Sequence, residues 1–129
     1  MATASVEIPS STDHVRLARL VAGAAARRCG VNEEVLDEVR LAVGEACARA
    51  VLRNQAADSE ANVQIQLDDG TSEFVVTVHD SATSTPDDDA ERLALALIES
   101  LAPVSQVEME AGGSKVRMSW PIDPLQMVI

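Results

Sequence analysis

Aromatic side chains are almost missing from this sequence of 129 residues: Phe74, Trp120 and no tyrosine make up 2% of it. A core must therefore be built from Ala, Val, Leu and Ile, and no exposed platform for stacking nucleic-acid bases is on offer. Basic residues are also scarce. Ten of them stand against 21 acids, a formal net charge of −11. Phosphate backbones and anionic lipid headgroups repel such a surface, so neither nucleic acid nor membrane is an expected partner. A basic protein partner fits the charge, although acidity also serves solubility alone. The two cysteines, Cys29 and Cys47, fall in predicted helices, show no metal-ligand or redox spacing, and read as small buried apolar side chains. The N-terminus lacks a basic start followed by an apolar run, and no segment approaches a membrane span. A reduced, cytoplasmic protein is expected. One lysine against nine arginines, with abundant alanine, points to a GC-rich bacterial genome.

What the chain does contain suits one folded domain, 1–129, with a single core: 47% of its residues are apolar. Ser5 to Ile8 is a short strand stopped by Pro9. Ser10, Ser11, Thr12 and Asp13 are helix N-cap residues, and a helix is predicted from about Asp13 to Cys29, ended by Gly30. Its expected buried stripe is Leu17, Leu20, Val21, Ala24 and Ala25. Asn32 caps a second helix, with Glu33 and Glu34 in its first turn, that runs to about Arg53. Residues 62–67 and 73–80 alternate as strands around Asp68-Asp69-Gly70 and form a hairpin, the second strand the more apolar and hence central. Ser81 to Asp89 holds turn formers and acids without an apolar anchor, and reads as a mobile surface loop. A third helix spans Ala90 to Leu101, with Leu93, Leu97, Ile98 and Leu101 apolar. A last hairpin pairs Val104–Glu110 with Ser114–Trp120 around Ala111-Gly112-Gly113. The apolar tail after Pro124 has no evident structural role.

This order, strand, helix, helix, two strands, helix, two strands, gives an α+β fold. It is a two-layer α/β sandwich in which a mainly antiparallel sheet of four or five strands carries its helices on one face.

The most informative segment is Val39 to Val51, within the second helix. Val35, Val39, Ala42, Ala46 and Ala50 make one apolar face at helical spacing. Glu45 and Arg49 sit one turn apart beside it, with Leu41 above Glu45. The segment resembles the first ATP-site motif, Glu-Ala-x-x-Asn-Ala-x, of the small anti-sigma-factor serine kinases, within the gyrase, chaperone and histidine-kinase ATPase superfamily. The element order resembles that superfamily from end to end. The resemblance implies a general-base position at Glu45. It also puts Arg49 where a magnesium-binding asparagine stands. A guanidinium has only donors and a positive charge, so it cannot ligate a hard cation. Either Arg49 fills the space of a metal and neutralises Glu45, or the two form an ordinary solvated pair worth a few tenths of a kcal/mol, roughly.

Three further signatures follow from the resemblance. The adenine motif, Asp-x-Gly-x-Gly, corresponds to Asp80-Ser81-Ala82-Thr83-Ser84. Asp80 is kept, and it also suits a turn at a strand end. Ala82 and Ser84 replace glycines that let a ligand approach the backbone, at a cost on the order of 1 kcal/mol if positive φ is required. The phosphate-binding Gly-x-Gly corresponds to Arg92-Leu93-Ala94-Leu95, where Arg92 and Ala94 close the helix start and the leucines remain as core residues. A Gly-Thr whose hydroxyl helps bind adenine corresponds to Gly113-Ser114. Asp80, Gly113 and Ser114 thus read as a vestigial adenine site, while Arg49, Ala82, Ser84, Arg92 and Ala94 are degenerate positions. Arg16 falls where the family places a first-helix arginine used against protein partners.

The implied function is a regulatory protein-binding module of a bacterial partner-switching system, anti-sigma factor-like, with lost or weakened ATP binding and no cofactor. Its implied partners are a STAS-type anti-anti-sigma protein, a sigma factor, or both, and its implied state is a homodimer with the N-terminal strand at the interface. The alternative is an active protein serine kinase that uses ATP and magnesium with Glu45 as base. A third reading is a nucleotide-free domain with an unrelated protein partner.

Overall fold

A computed structural model describes residues 2–83 and 88–126. Alternation of apolar and polar residues produces the strands. In β2 (Val63–Asp69), Val63, Ile65 and Leu67 are buried while Gln64 and Gln66 are exposed. With β1 (Ala2–Ile8), β3 (Glu73–Asp80), β4 (Val104–Glu110) and β5 (Gly113–Pro121) it builds a five-stranded sheet in the order β1-β2-β3-β5-β4. Every neighbouring pair is antiparallel. The expected hairpins are both present, and β3 lies centrally. The second turn is tighter than expected: Glu110 pairs with Gly113, which belongs to β5. The first strand is longer than predicted, because Ala2, Thr3 and Ala4 also pair along β2.

Helices α1 (Val15–Cys29), α2 (Leu36–Ala56) and α3 (Asp89–Leu101) cover one face of the sheet. This is the α+β two-layer sandwich that the element order implied. Short 3₁₀ turns, Thr12–His14 and Glu33–Val35, precede the first two helices, so α1 starts slightly later than expected. Ser11 and Asn32 accept from the backbone N–H of Asp13 and Glu34, satisfying donors that a helix start leaves open. Gly30 ends α1 at φ 102°, a left-handed geometry suited to glycine. After β5 the chain returns to this corner, where Asp123 N–H donates to the Gly30 carbonyl at 2.7 Å. The end of the apolar tail, 127–129, lies outside the described residues.

The core joins Val39, Val43, Cys47 and Val51 of α2 to Val76 and Val78 of β3 and to Met118 and Trp120 of β5. Trp120 is buried, and its Nε1–H donates to the Leu101 carbonyl at 3.2 Å, fastening the end of α3 to the sheet. Burial in this apolar setting pushes the Cys47 thiol up to about 12, the behaviour of an inert core cysteine. Cys29, expected inside as well, is only half-buried.

Two helical faces differ from the expected ones. On α1 the buried residues are Val15, Ala18, Ala22, Gly23 and Ala26, whereas Leu17 and Leu20 are 52% and 53% exposed. Close packing of α1 on α2 explains the rotation. A Cβ on Gly23 would lie 2.6 Å from Arg40 Nε, and one on Gly44 would lie 2.6 Å from Arg19 Cδ. Small residues let the helices approach, and arginine stems lie across the gaps. On α3 only Ile98 is fully buried, with Leu95 and Leu101 packed against the core; Leu93 and Leu97 stay exposed.

Candidate functional site

On α2, the buried stripe of Ala42, Ala46 and Ala50 is continued by two arginines one turn apart, Arg49 and Arg53, only 4% and 3% exposed. Charges so placed require partners, because an unpaired guanidinium out of water is very costly. The partners come from three other elements. Asp80 ends β3, and sheet register sets it opposite Ser114 at the start of β5. Glu91 lies in the first turn of α3, a helix capped by the Asp88 carboxylate accepting from Glu91 N–H.

The Asp80 carboxylate is fully engaged. Its Oδ1 accepts from Ala82 N–H at 3.0 Å and Ser114 N–H at 3.2 Å. Its Oδ2 accepts from Arg53 Nε at 2.9 Å and from the Ser114 hydroxyl at 2.5 Å. Arg53 Nη2 also donates to the Ala82 carbonyl at 2.9 Å. Arg49 donates through Nε to Glu91 Oε1 at 2.7 Å and through Nη1 to Ser114 Oγ at 3.2 Å. Its Nη2 is 2.7 Å from the same glutamate oxygen, close enough for charge pairing but off the hydrogen-bond direction. Glu91 Oε1 is also 3.7 Å from Arg53 Nη1. Two buried cations therefore meet two carboxylates, and the cluster is neutral.

Backbone geometry fixes this arrangement. Gly113 has φ 146°, and a Cβ there would lie 1.9 Å from the Asp80 carbonyl oxygen. No residue but glycine fits at that contact. Asn54, buried at the end of α2, accepts from Ser81 N–H at 2.9 Å and donates to Ser10 Oγ at 3.0 Å, so it holds the segment after β3 against the helix.

Several expectations are corrected here. Arg49 is neither solvated nor paired with Glu45; its guanidinium turns inward to Glu91 and Ser114. Glu45 is half-buried and has no hydrogen bond or ion pair among the described residues. The start of the loop after β3 does have an apolar anchor, since Ala82 is 1% exposed. Ala82 also escapes backbone strain: among the described residues the one non-glycine with positive φ is Asp58. Ser84 lies outside the described residues. Arg92 is exposed and pairs with Asp89 on its own helix. Leu93, expected in the core, is 62% exposed. Ala94 is half-buried beside a groove of about 410 Å³ between α2 and α3, which Glu45, Arg49 and Arg53 also line. Arg16 is exposed on α1, away from this cluster, and borders a groove of about 370 Å³ with Leu20 and Leu41. Arg53, Asn54 and Glu91 were not singled out from sequence. For Arg53 a signal existed, because it continues the buried helical stripe; for Glu91 only the need of a buried arginine for a carboxylate pointed to it.

A family model described as a histidine kinase-like ATPase domain matches residues 8–120. The chain belongs to this family. Among solved structures it is similar to the RsbU and RsbW domains of Rv1364c from Mycobacterium tuberculosis, with a TM-score of 0.72 and 16% identity. That match covers 100% of this chain and 35% of the other, so the chain spans about a third of the solved protein. At this identity the likeness speaks to the fold. No curated protein matches the sequence.

Within this ATPase-type fold the ion cluster stands at the junction of α2, α3, β3 and β5. Removing one partner leaves a buried charge alone, a loss of about 3–5 kcal/mol. Arg53→Met and Asp80→Ala are each expected to destabilise by that amount, in urea unfolding followed by Trp120 fluorescence. Glu45→Ala is expected to stay within about 0.5 kcal/mol of the parent. Combining Arg53→Met with Asp80→Ala should cost less than the sum of the two separate losses.

Proposed function

We propose that this chain is a regulatory protein-binding module of a bacterial partner-switching system, anti-sigma factor-like, whose nucleotide site is closed by its own side chains. The observation that carries the reading is the saturated carboxylate of Asp80, bound by Arg53, Ser114 and Ala82. The family resemblance assigns that carboxylate to the adenine amino group. An incoming adenine would have to displace a buried, charge-assisted hydrogen bond.

The residues present do not fit magnesium-ATP, and no phosphoryl-transfer step is derived for them. Arg49 takes the position of a magnesium ligand but offers donors only. Arg92 and Ala94 lie within helix α3, and the Arg92 N–H is already taken by the Asp88 carbonyl at 3.2 Å. Glu45 keeps the general-base position without a metal ligand one turn on. The net charge of −11 opposes a polyanion further.

Protein recognition is supported by the surface of α1 and α2. Arg16 and Arg40 border a groove whose rim includes Leu20 and Leu41, 53% and 51% exposed. Exposed aliphatic side chains beside arginines make a surface of the kind that binds proteins. The resemblance to anti-sigma-factor kinases, and the fold likeness to a protein with an RsbW domain, support a STAS-type anti-anti-sigma protein or a sigma factor as the occupant. A cytoplasmic homodimer is part of the same reading. Among the described residues no helix is long and apolar enough to cross a membrane.

Calorimetric titration with magnesium-ATP is expected to show no binding at physiological concentrations, and a radiolabel assay with candidate STAS-type proteins no transfer. Micromolar affinity, or transfer abolished by Glu45→Ala, would restore the active-kinase reading. Arg16→Ala is expected to weaken partner binding at least about fivefold, roughly 1 kcal/mol, with an unchanged melting temperature. Unaltered affinity would place the partner elsewhere.

A further inference from the structure

We infer that the groove between α2 and α3 docks an amphipathic helical segment of a protein partner, one with aliphatic side chains flanked by arginine or lysine. The inference rests on the closed nucleotide site proposed above, which leaves this cleft to another ligand.

The walls are apolar and open. Leu52 of α2 is 53% exposed, and Leu93 and Leu97 of α3 are 62% and 38% exposed, yet all three line the same cavity of about 410 Å³. A lone exposed leucine needs no explanation, whereas three converging from two helices on one concave site mark a binding surface. Leu93 and Leu97 lie one turn apart and form a ridge, the shape that meshes with anchors at i, i+4 and i+7 of a bound helix.

Charge selects the flanks of that helix. The two arginines of the groove are already neutralised by Asp80 and Glu91. Two other acids line the groove without a cation. Glu45 has no partner among the described residues, and Asp88 caps α3 without entering an ion pair there. The groove is therefore apolar, with two carboxylates that enter no ion pair among the described residues. Such a surface favours cationic flanks and rejects anionic ones. The overall charge of −11 adds long-range attraction in the same sense.

The test uses a fluorescent helical peptide with leucines at i, i+4 and i+7 and arginines on both flanks, beside a counterpart with glutamate flanks. Fluorescence anisotropy on the full chain is expected to show binding of the arginine peptide only, weakened by added salt. Leu93→Asn combined with Leu97→Asn should lower its affinity at least about tenfold, with the circular dichroism spectrum unchanged. Leu17→Asn, on the surface of α1 outside both grooves, should leave it unaltered. No binding, equal binding of the two peptides, or indifference to the Leu93 and Leu97 substitutions would overturn the inference. So would a dimer that the same substitutions turn into a monomer in sedimentation, since a second copy would then fill the groove. Displacement of bound peptide by magnesium-ATP would overturn the closed nucleotide site while supporting the groove as the docking place. Absence of peptide binding together with absence of ATP binding overturns the docking alone.

Discussion

A carboxylate buried at the end of a central strand needs cations, and Asp80 finds Arg53 at 2.9 Å and Arg49 at 3.8 Å. Much else in the molecule is organised by that requirement. The two arginines must leave α2 on its buried side, so the helix gives up apolar packing near its end. Their second carboxylate, Glu91, ties the start of α3 to α2. Ser114 can reach Asp80 only because Gly113 brings the backbones of β3 and β5 into contact. Four elements thus converge on one neutral cluster. Such a cluster adds less to stability than its short distances suggest, since desolvation offsets the attraction, but it penalises the loss of any single member.

The same cluster occupies ground that the family resemblance assigns to nucleotide. Adenine and metal contacts would each demand an open acceptor, and the Asp80 carboxylate already accepts from Arg53, Ser114 and Ala82 while Arg49 offers donors only. The helical layer also presents two grooves rimmed with exposed leucines. One lies between α1 and α2 beside Arg16, the other between α2 and α3. On the proposed loss of nucleotide binding, the fold would still present its helices to proteins. An acidic chain with two aliphatic grooves suits that use.

The sheet was legible because its signals are local. Alternation in 62–67, turn residues at Asp68-Asp69-Gly70, and the paired runs around Ala111-Gly112 prescribe antiparallel hairpins without help from distant contacts. Caps at Ser11, Asn32 and Gly30 were equally readable. The inward face of α1 was not. Leucines outrank alanines on hydrophobicity, yet the close approach of α1 and α2 at Gly23 and Gly44 admits only small side chains there. On α3 a narrow contact with the sheet leaves Leu93 and Leu97 outside. The site was legible in its outline, since Asp80, Ser114 and Arg49 do meet. Pairing was missed because it crosses elements: Arg49 prefers Glu91, 42 residues away, to Glu45 one turn back, and sequence spacing describes only the nearer of these.

Whether the two arginines permanently fill the site is open to direct observation through their side-chain Nε–H groups, which NMR detects individually when exchange with water is slow. Spectra of the isotopically labelled protein should be recorded at neutral pH with and without an excess of magnesium-ATP. The account predicts two protected resonances, from Arg49 and Arg53, present in the free protein, lost in the respective substitutions, and unmoved by nucleotide. Rapid exchange of both groups in the free protein, or a shift of either on adding magnesium-ATP, would contradict it.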